Sequence, residues 1–305
     1  MKLKNVINAI LIFIGIICID FVGTYAYSEL KIDESGGLKI HYIDVGQGDS
    51  TFIELPDGKT ILIDAGEAEY GSTVVNYIKK LKYQKIDYIF ATHPHNDHIG
   101  GLTKVINSFE IGTIYMPDVS NNTNGYLNLL NAIKAKNKTI KKAIALKNVI
   151  LNDDLSLKII GPNSEKYDDL NNYSIVLKLT YKEKSFIFMA DAEYESEMEI
   201  LNSQIDIKAD VLKVGHHGST SSTNYNFLKK VNPSIAVISV GLNNDYGHPK
   251  EKILEKLKNN NIKIYRTDIN GNIIITTDGD KLKVKVENGS YSWSHWRRLF
   301  GFRTK

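Results

Sequence analysis

Only one cysteine stands in the 305 residues, at position 18. A lone thiol closes no internal disulfide, so stability has to come from core burial and from any metal the chain holds. Charge of one sign is also lacking: 38 Lys and Arg face 35 Asp and Glu, which leaves no global field to draw in nucleic acid. Gly-x-Ser-x-Gly, Walker-type phosphate loops and dinucleotide glycine fingerprints are all missing, and with them the serine-hydrolase, P-loop and Rossmann readings. No repeat of fixed period and no low-complexity linker breaks the chain. What remains is 42% hydrophobic and 24% charged, an ordinary globular composition. The length suggests either two domains or one α/β core with appendages.

A long hydrophobic run is lacking too. The apolar stretch from Ala9 to Ile19 follows Lys2 and Lys4 and stops at Asp20, short of the roughly 20 residues that span a bilayer. Ala26-Tyr27-Ser28 then gives a small-x-small pattern suited to signal peptidase. Residues 1–28 therefore read as a signal peptide or an N-terminal membrane anchor, with a buried core helix as the alternative. The protein is expected to be secreted or anchored outside the cytoplasmic membrane. Cleavage would remove Cys18 and leave a mature chain without thiols.

After the Ser35-Gly36-Gly37 joint, strands are expected at Leu38 to Val45, Thr51 to Leu55 and Thr60 to Ile63, with Pro56-Asp57-Gly58 as a turn. Val74, Val75, Ile78 and Leu81 have helical spacing, and Ile86 to Ala91 reads as a buried strand. Further on, helices at Glu193 to Asn202, Asn226 to Val231 and Lys250 to Asn259 alternate with strands at Asp210 to Val214 and Ser234 to Val240. Hairpins mixed with strand-helix alternation in both halves predict an α/β fold of two sheets sandwiched between helices.

The densest chemistry is in Thr92-His93-Pro94-His95-Asn96-Asp97-His98-Ile99-Gly100-Gly101, directly after a predicted buried strand. Imidazoles and a carboxylate this close suit zinc, manganese or iron, and such crowding is costly unless a cation compensates. The alternative is a polar surface loop. His93 and His95, two apart, can point the same way and leave Asp97 and His98 to turn toward a neighbouring position. Asp191 follows the apolar run Ser185 to Ala190, at a strand end where α/β proteins place their sites. It also sits where an Asp would cap the next helix.

With its His-x-His-x-Asp-His run, the chain resembles the metallo-β-lactamase fold superfamily, whose architecture is a four-layer αββα sandwich. Asp44-Val45-Gly46-Gln47-Gly48-Asp49-Ser50, Ile63-Asp64-Ala65-Gly66, Asn171-Asn172-Tyr173-Ser174 and Met189-Ala190-Asp191 narrow the likeness. With Val214-Gly215-His216-His217-Gly218-Ser219 and Tyr246-Gly247-His248-Pro249, they look like the hydrolase domain of the ComEC competence-protein family. The resemblance implies one hydrolase domain over residues 38–288, without that family's multi-helix membrane channel.

It further implies two divalent metal ions, Zn or Mn, with His93 and His95 on one, Asp97 and His98 on the other, and Asp191 bridging both. Neighbouring strand residues face opposite ways, so of His216 and His217 a turn must reorient one. His217 is taken as the ligand and His216 as a hydrogen-bond donor or acid near the leaving group, with the reverse assignment open. His248 is a last ligand, a substrate contact or only a structural residue before Pro249. Asp49, Asp64 and Asn172, with Gln47, are candidates to hydrogen-bond the ligands from behind, and Glu193 either joins them or merely opens a helix. No His occurs between His98 and His216; the Asn171–Ser174 segment stands where many superfamily members supply one.

The implied activity is that of an exported phosphodiesterase using a metal-bridging hydroxide, with Asp97, His216 and His248 at the reacting centre. Its substrate would be an anionic phosphodiester, either DNA or a cell-envelope polymer. Hydrolysis of a small ester or β-lactam, or a binding module that keeps the fold without catalysis, are the alternatives. Residues 289–305 interleave both Trp with four cations and suit an anionic polymer, a membrane surface or the wall, unless their aromatics pack on the domain. No obligate protein partner is inferred.

Overall fold

The structure, a computed structural model, describes residues 37–288. The expected signal or anchor at 1–28 and the basic-aromatic tail at 289–305 lie outside the described residues. Among the described residues no helix is long and apolar enough to cross a membrane.

The chain opens with β1 (Leu38–Tyr42), β2 (Thr51–Glu54), β3 (Thr60–Ile63), β4 (Lys85–Phe90), β5 (Glu110–Met116) and β6 (Ile140–Lys142). It then builds a second sheet from β7 (Asn148–Leu151), β8 (Leu155–Gly161), β9 (Val176–Tyr181), β10 (Lys184–Phe188), β11 (Val211–Lys213), β12 (Ile235–Ile238) and β13 (Lys263–Arg266). β14 (Ile273–Thr277) and β15 (Leu282–Val286) return to the first sheet. The sheet orders are β15-β14-β1-β2-β3-β4-β5-β6 and β13-β12-β11-β10-β9-β8-β7. Antiparallel hairpins give way to parallel pairing at β3–β4–β5–β6 in one sheet and at β10–β11–β12–β13 in the other.

The helices are α1 (Gly71–Lys80), α2 (Asn96–Ile99), α3 (Leu102–Ser108), α4 (Asn124–Ala135), α5 (Tyr194–Asn202), α6 (Tyr225–Val231), α7 (Glu251–Asn259) and α8 (Thr267–Asn270). Leu38, Ile40, Phe90, Leu157, Leu177 and Phe186 form a core between the sheets. Val74, Ile78, Leu102 and Leu129 join the outer face of the first sheet to α1, α3 and α4. Ile200, Phe227 and Leu257 do the same for the second sheet with α5, α6 and α7. The four layers are thus helix, sheet, sheet, helix, as the alternation of elements predicts.

Two differences from the expected elements stand out, the first at the site. The strand expected over Leu38 to Val45 stops at Tyr42, because the following loop turns to meet the histidine loop: the Asp49 N–H donates to the Asp97 carbonyl at 3.1 Å. Gly48 permits this approach, since a Cβ there would strike that same carbonyl, and its φ is 143°. Meanwhile β6 and β7, at the sheet edges, lack the buried apolar alternation that marks the other strands, β6 being exposed at every position.

Candidate metal centre

The parallel strands of both sheets release their loops at one rim. Asp64 follows β3, Thr92 to His98 follow β4, Asp191 follows β10, Gly215 to Gly218 follow β11, and Ser239 to Gly241 follow β12. This is the strand-end position where α/β folds build sites. The rim holds a cleft of about 400 Å³ lined by Gln47, Glu67, His95, Asn96, Asp97, Asn171, Asp191, His216, His217, Tyr246 and His248.

Four imidazoles are anchored through Nδ1, which turns Nε2 inward. His98 Nδ1 lies 2.8 Å from Asp64 Oδ2. His217 Nδ1 donates to the Ser239 carbonyl at 3.0 Å. His93 Nδ1 sits 3.2 Å from Thr92 Oγ1 and 3.3 Å from Ser174 Oγ, and His216 Nδ1 lies 2.9 Å from Glu193 Oε1. A partner on one ring nitrogen fixes the tautomer and aims the other, the way ligand histidines are generally held. Asp64 is itself locked, accepting from Thr92 N–H at 2.9 Å and from Thr92 Oγ1 at 2.6 Å.

Backbone conformation performs the rest of the aiming. His216 and His217 have φ of 46° and 52°, so the turn after β11 departs from strand geometry at both residues and brings both rings to the rim. Ala190, just before Asp191, is left-handed as well, at φ 48°. Such conformations cost non-glycine residues on the order of 1–3 kcal/mol each and persist only where surroundings impose them.

Asp97, His98, Asp191 and His217 each offer one ligand atom, and these atoms all lie within 4.8 Å of one another. The two oxygens of Asp191 face different neighbours. Oδ1 is 3.2 Å from His98 Nε2 and 3.5 Å from His217 Nε2. Oδ2 is 3.8 Å from His93 Nε2 and 3.7 Å from His216 Nε2. His95 completes the second group, its Nδ1 being 3.0 Å from His93 Nε2.

These residues fit a divalent cation. His98 Nε2 and Asp191 Oδ1 are buried and approach each other, yet their geometry makes no hydrogen bond and both remain without a partner. Buried polar atoms are seldom left so. Burial opposes protonation of His98 and His217, but Asp191 and the carboxylates beside it raise both well above the ordinary imidazole range. Burial likewise opposes ionisation of Asp97, yet His98 and His217 hold its carboxyl at about 2. The cluster thus attracts positive charge to its centre, and imidazole with carboxylate is the donor set of zinc, manganese or iron.

Behind His217 lies a buried ion pair. Lys213 Nζ is 2.7 Å from Asp49 Oδ2, with side-chain exposures of 1% and 6%, and Asp49 Oδ1 is 3.4 Å from His217 Nδ1. Asp49 therefore serves as an ionic neighbour of His217, whose Nδ1 proton goes to Ser239. Burial raises the Asp49 carboxyl, but Lys213 and then His217 outweigh it and pull it below the ordinary range.

Asn172, expected to support a ligand, is turned elsewhere. Its Oδ1 accepts from the backbone N–H of Glu193 at 3.1 Å and of Ser196 at 3.4 Å, steadying the start of α5. Within that segment Ser174 reaches His93 and also accepts from the Asp191 N–H at 3.2 Å. Gln47 lines the cleft and accepts from the Gly241 N–H. Glu193 joins the site through His216. His248 is half-buried with its ring 5.7 Å from that of His216; burial, then His216 and His217, lower its pKa to about 4.

Sequence reasoning missed Ser174, Thr92 and Lys213. Only Lys213 left a signal, a cation inside the apolar run Val211 to Val214.

A sequence model of the Metallo-beta-lactamase superfamily matches residues 43–241. Among curated proteins, ComE operon protein 3 of Bacillus subtilis is 29% identical over 292 residues, covering 88% of this chain and 36% of that protein. Recombination protein 2 of Haemophilus influenzae is 26% identical over 259 residues, covering 83% of this chain and 31% of that protein. The chain thus spans about a third of the length of these relatives. In fold it is similar to CmlA, a diiron β-hydroxylase from Streptomyces venezuelae, with a TM-score of 0.52 at 13% identity over 79% of this chain and 54% of that one.

Proposed function

The chain belongs to the metallo-beta-lactamase superfamily, and from that premise we propose that it is an exported metal-dependent phosphodiesterase acting on an anionic polymer, DNA or a cell-envelope phosphodiester. The observation that carries the reading is the sharing of Asp191 between two donor groups, His93 with His95 on one side and Asp97, His98 and His217 on the other. Those residues would hold two divalent ions, zinc or manganese. When bound, such ions acidify water and neutralise charge on a phosphoryl group.

The chain's own groups do the remaining work. Asp64 and Ser239 keep Nε2 of His98 and His217 aimed at the centre. Glu193 holds Nδ1 of His216 and leaves Nε2 facing Asp191, where that atom can pass a proton to a departing oxygen. His248, neutral at pH 7 by its lowered pKa, packs against His216 and keeps that ring in place. Export rests on the basic start, apolar run and small-x-small pattern of residues 1–28, and the resemblance of the site motifs to the hydrolase domain of the ComEC competence-protein family supports an anionic polymer as substrate.

The test uses bis(p-nitrophenyl) phosphate with manganese or zinc added to metal-depleted protein. Turnover should depend on the metal and fall about 10²- to 10³-fold in His95→Ala and Asp97→Ala, a loss of several kcal/mol of charge stabilisation. Equal turnover in these variants, or turnover unaffected by chelation, would overturn the proposal.

A further inference from the structure

We propose that Tyr246 is a stacking platform for a nucleobase next to the scissile phosphodiester, a subsite that favours a base-bearing polymer over a bare phosphodiester one. The inference rests on the phosphodiesterase reading and narrows it. Among the described residues, Tyr246 is the only exposed large hydrophobic side chain that also lines the cleft, at 64% exposure. Its ring is stacked on His248, with centroids 5.8 Å apart and planes at 22°, and the His248 ring meets that of His216 edge-on. His248 thus lies against the Tyr246 ring on the side of the site, while most of the Tyr246 surface is exposed. A planar group laid on that exposed surface continues a stack that ends at the reacting centre.

The loop carrying this ring is tied down. Asn244 Nδ2 donates to the carbonyls of Gly241 at 2.9 Å and His248 at 2.7 Å, and Asn244 Oδ1 accepts from the His248 N–H at 3.0 Å. Lys250 Nζ donates to the Tyr246 carbonyl at 2.6 Å, and Gly241 is in turn held by Gln47. A ring held before the ligand arrives loses little freedom on binding. Lys250 also places a cation beside the platform, so one loop offers an aromatic face for a base and a positive charge for a neighbouring phosphate. Aromatic faces combined with cations are how single strands are gripped without reading their sequence, because every base has a π-face. A glycerol- or ribitol-phosphate backbone has no flat group to lay on this ring.

The experiment compares two single strands of equal length, one a normal oligonucleotide and one abasic throughout, cleaved by metal-loaded wild type, Tyr246→Ala and Tyr246→Phe. Wild type should favour the base-bearing strand through a lower KM. Tyr246→Ala should shrink that preference about ten- to hundred-fold, while Tyr246→Phe, which keeps the ring, should retain it. An unchanged preference in Tyr246→Ala, or wild type that treats both strands alike, overturns the stacking role and leaves the phosphodiesterase reading standing. A tighter hold on a choline-bearing polymer, lost in Tyr246→Ala, overturns it in favour of cation recognition by the same ring. Failure of wild type to cleave any phosphodiester, bis(p-nitrophenyl) phosphate included, removes both readings together.

Discussion

Asp64 and Asp49 are both buried carboxylates standing behind an inward-facing imidazole, but they reach it differently. Asp64 follows β3 and holds His98 and Thr92 of the adjoining β4 loop, so the whole arrangement lies within one half of the molecule. Asp49 also belongs to the first half, yet its partners are Lys213 and His217, on and just after β11 of the second. His98 is thus set by its own sheet. His217 is set at the seam, by a charge that arrives only when the two sheets pack. One ligand imidazole is thus oriented locally, and the other by tertiary assembly.

The sharpest way to break this comparison is Lys213→Met, which leaves Asp49 buried without its main counter-charge. Removing one partner of a buried pair costs on the order of 3–5 kcal/mol, so denaturant unfolding should show a loss of that size, with Asp49→Asn in the same chain recovering part of it. Stability equal to wild type would show that the seam is held by apolar packing alone.

A second test stays within the second half. Glu197 is fully buried on α5, and its carboxylate accepts from the N–H of Thr223 at 2.5 Å and of Asn224 at 2.8 Å, ahead of α6. Burial is the strongest influence and pushes its pKa up from 4.5 to about 7. Between those values the folded chain keeps a proton that the unfolded chain releases, so this group's contribution falls as pH rises from about 4.5 to about 7 and is flat above. The span is at most about 3 kcal/mol. Unfolding measured from pH 4.5 to 8 should lose that slope in Glu197→Gln, and an identical slope in the variant would mean that Glu197 is ionised throughout.

The mildest expected effect is that of Asp64→Asn. Loss of a carboxylate behind a ligand histidine typically weakens metal binding about 10- to 100-fold. If the first half is self-contained, metal titration followed by histidine NMR should show the change at His98 and not at His217. Equal disturbance of both rings would merge the two halves into one network.

Much of this was legible in the sequence. The His93 to His98 run needs no folding to be seen as a cluster, since its donors are neighbours in the chain. α1 and α7 fall where apolar spacing places them, because each buries one regular stripe against a sheet. β6 and β7 were not legible, being exposed edges without a buried face. Ser174, and not the expected Asn172, touches a ligand imidazole, because a polar run shows which residues can hydrogen-bond but not which way each one turns. The Lys213–Asp49 pair joins residues from opposite halves of the chain, and no local pattern announces a contact made across packed sheets.

The left-handed backbone at His216 and His217 has a consequence for how this protein can be improved or can drift. Glycine relieves such strain at no steric cost, so exchange for glycine at either position would tend to make the turn easier while deleting the imidazole it exists to present. Selection for thermal hardiness and selection for turnover therefore pull His216 in opposite directions. A laboratory evolution campaign that rewards heat resistance alone should find glycine at the part-exposed His216 and not at the buried His217, where loss of the ring would also leave a cavity and the Ser239 carbonyl without its donor.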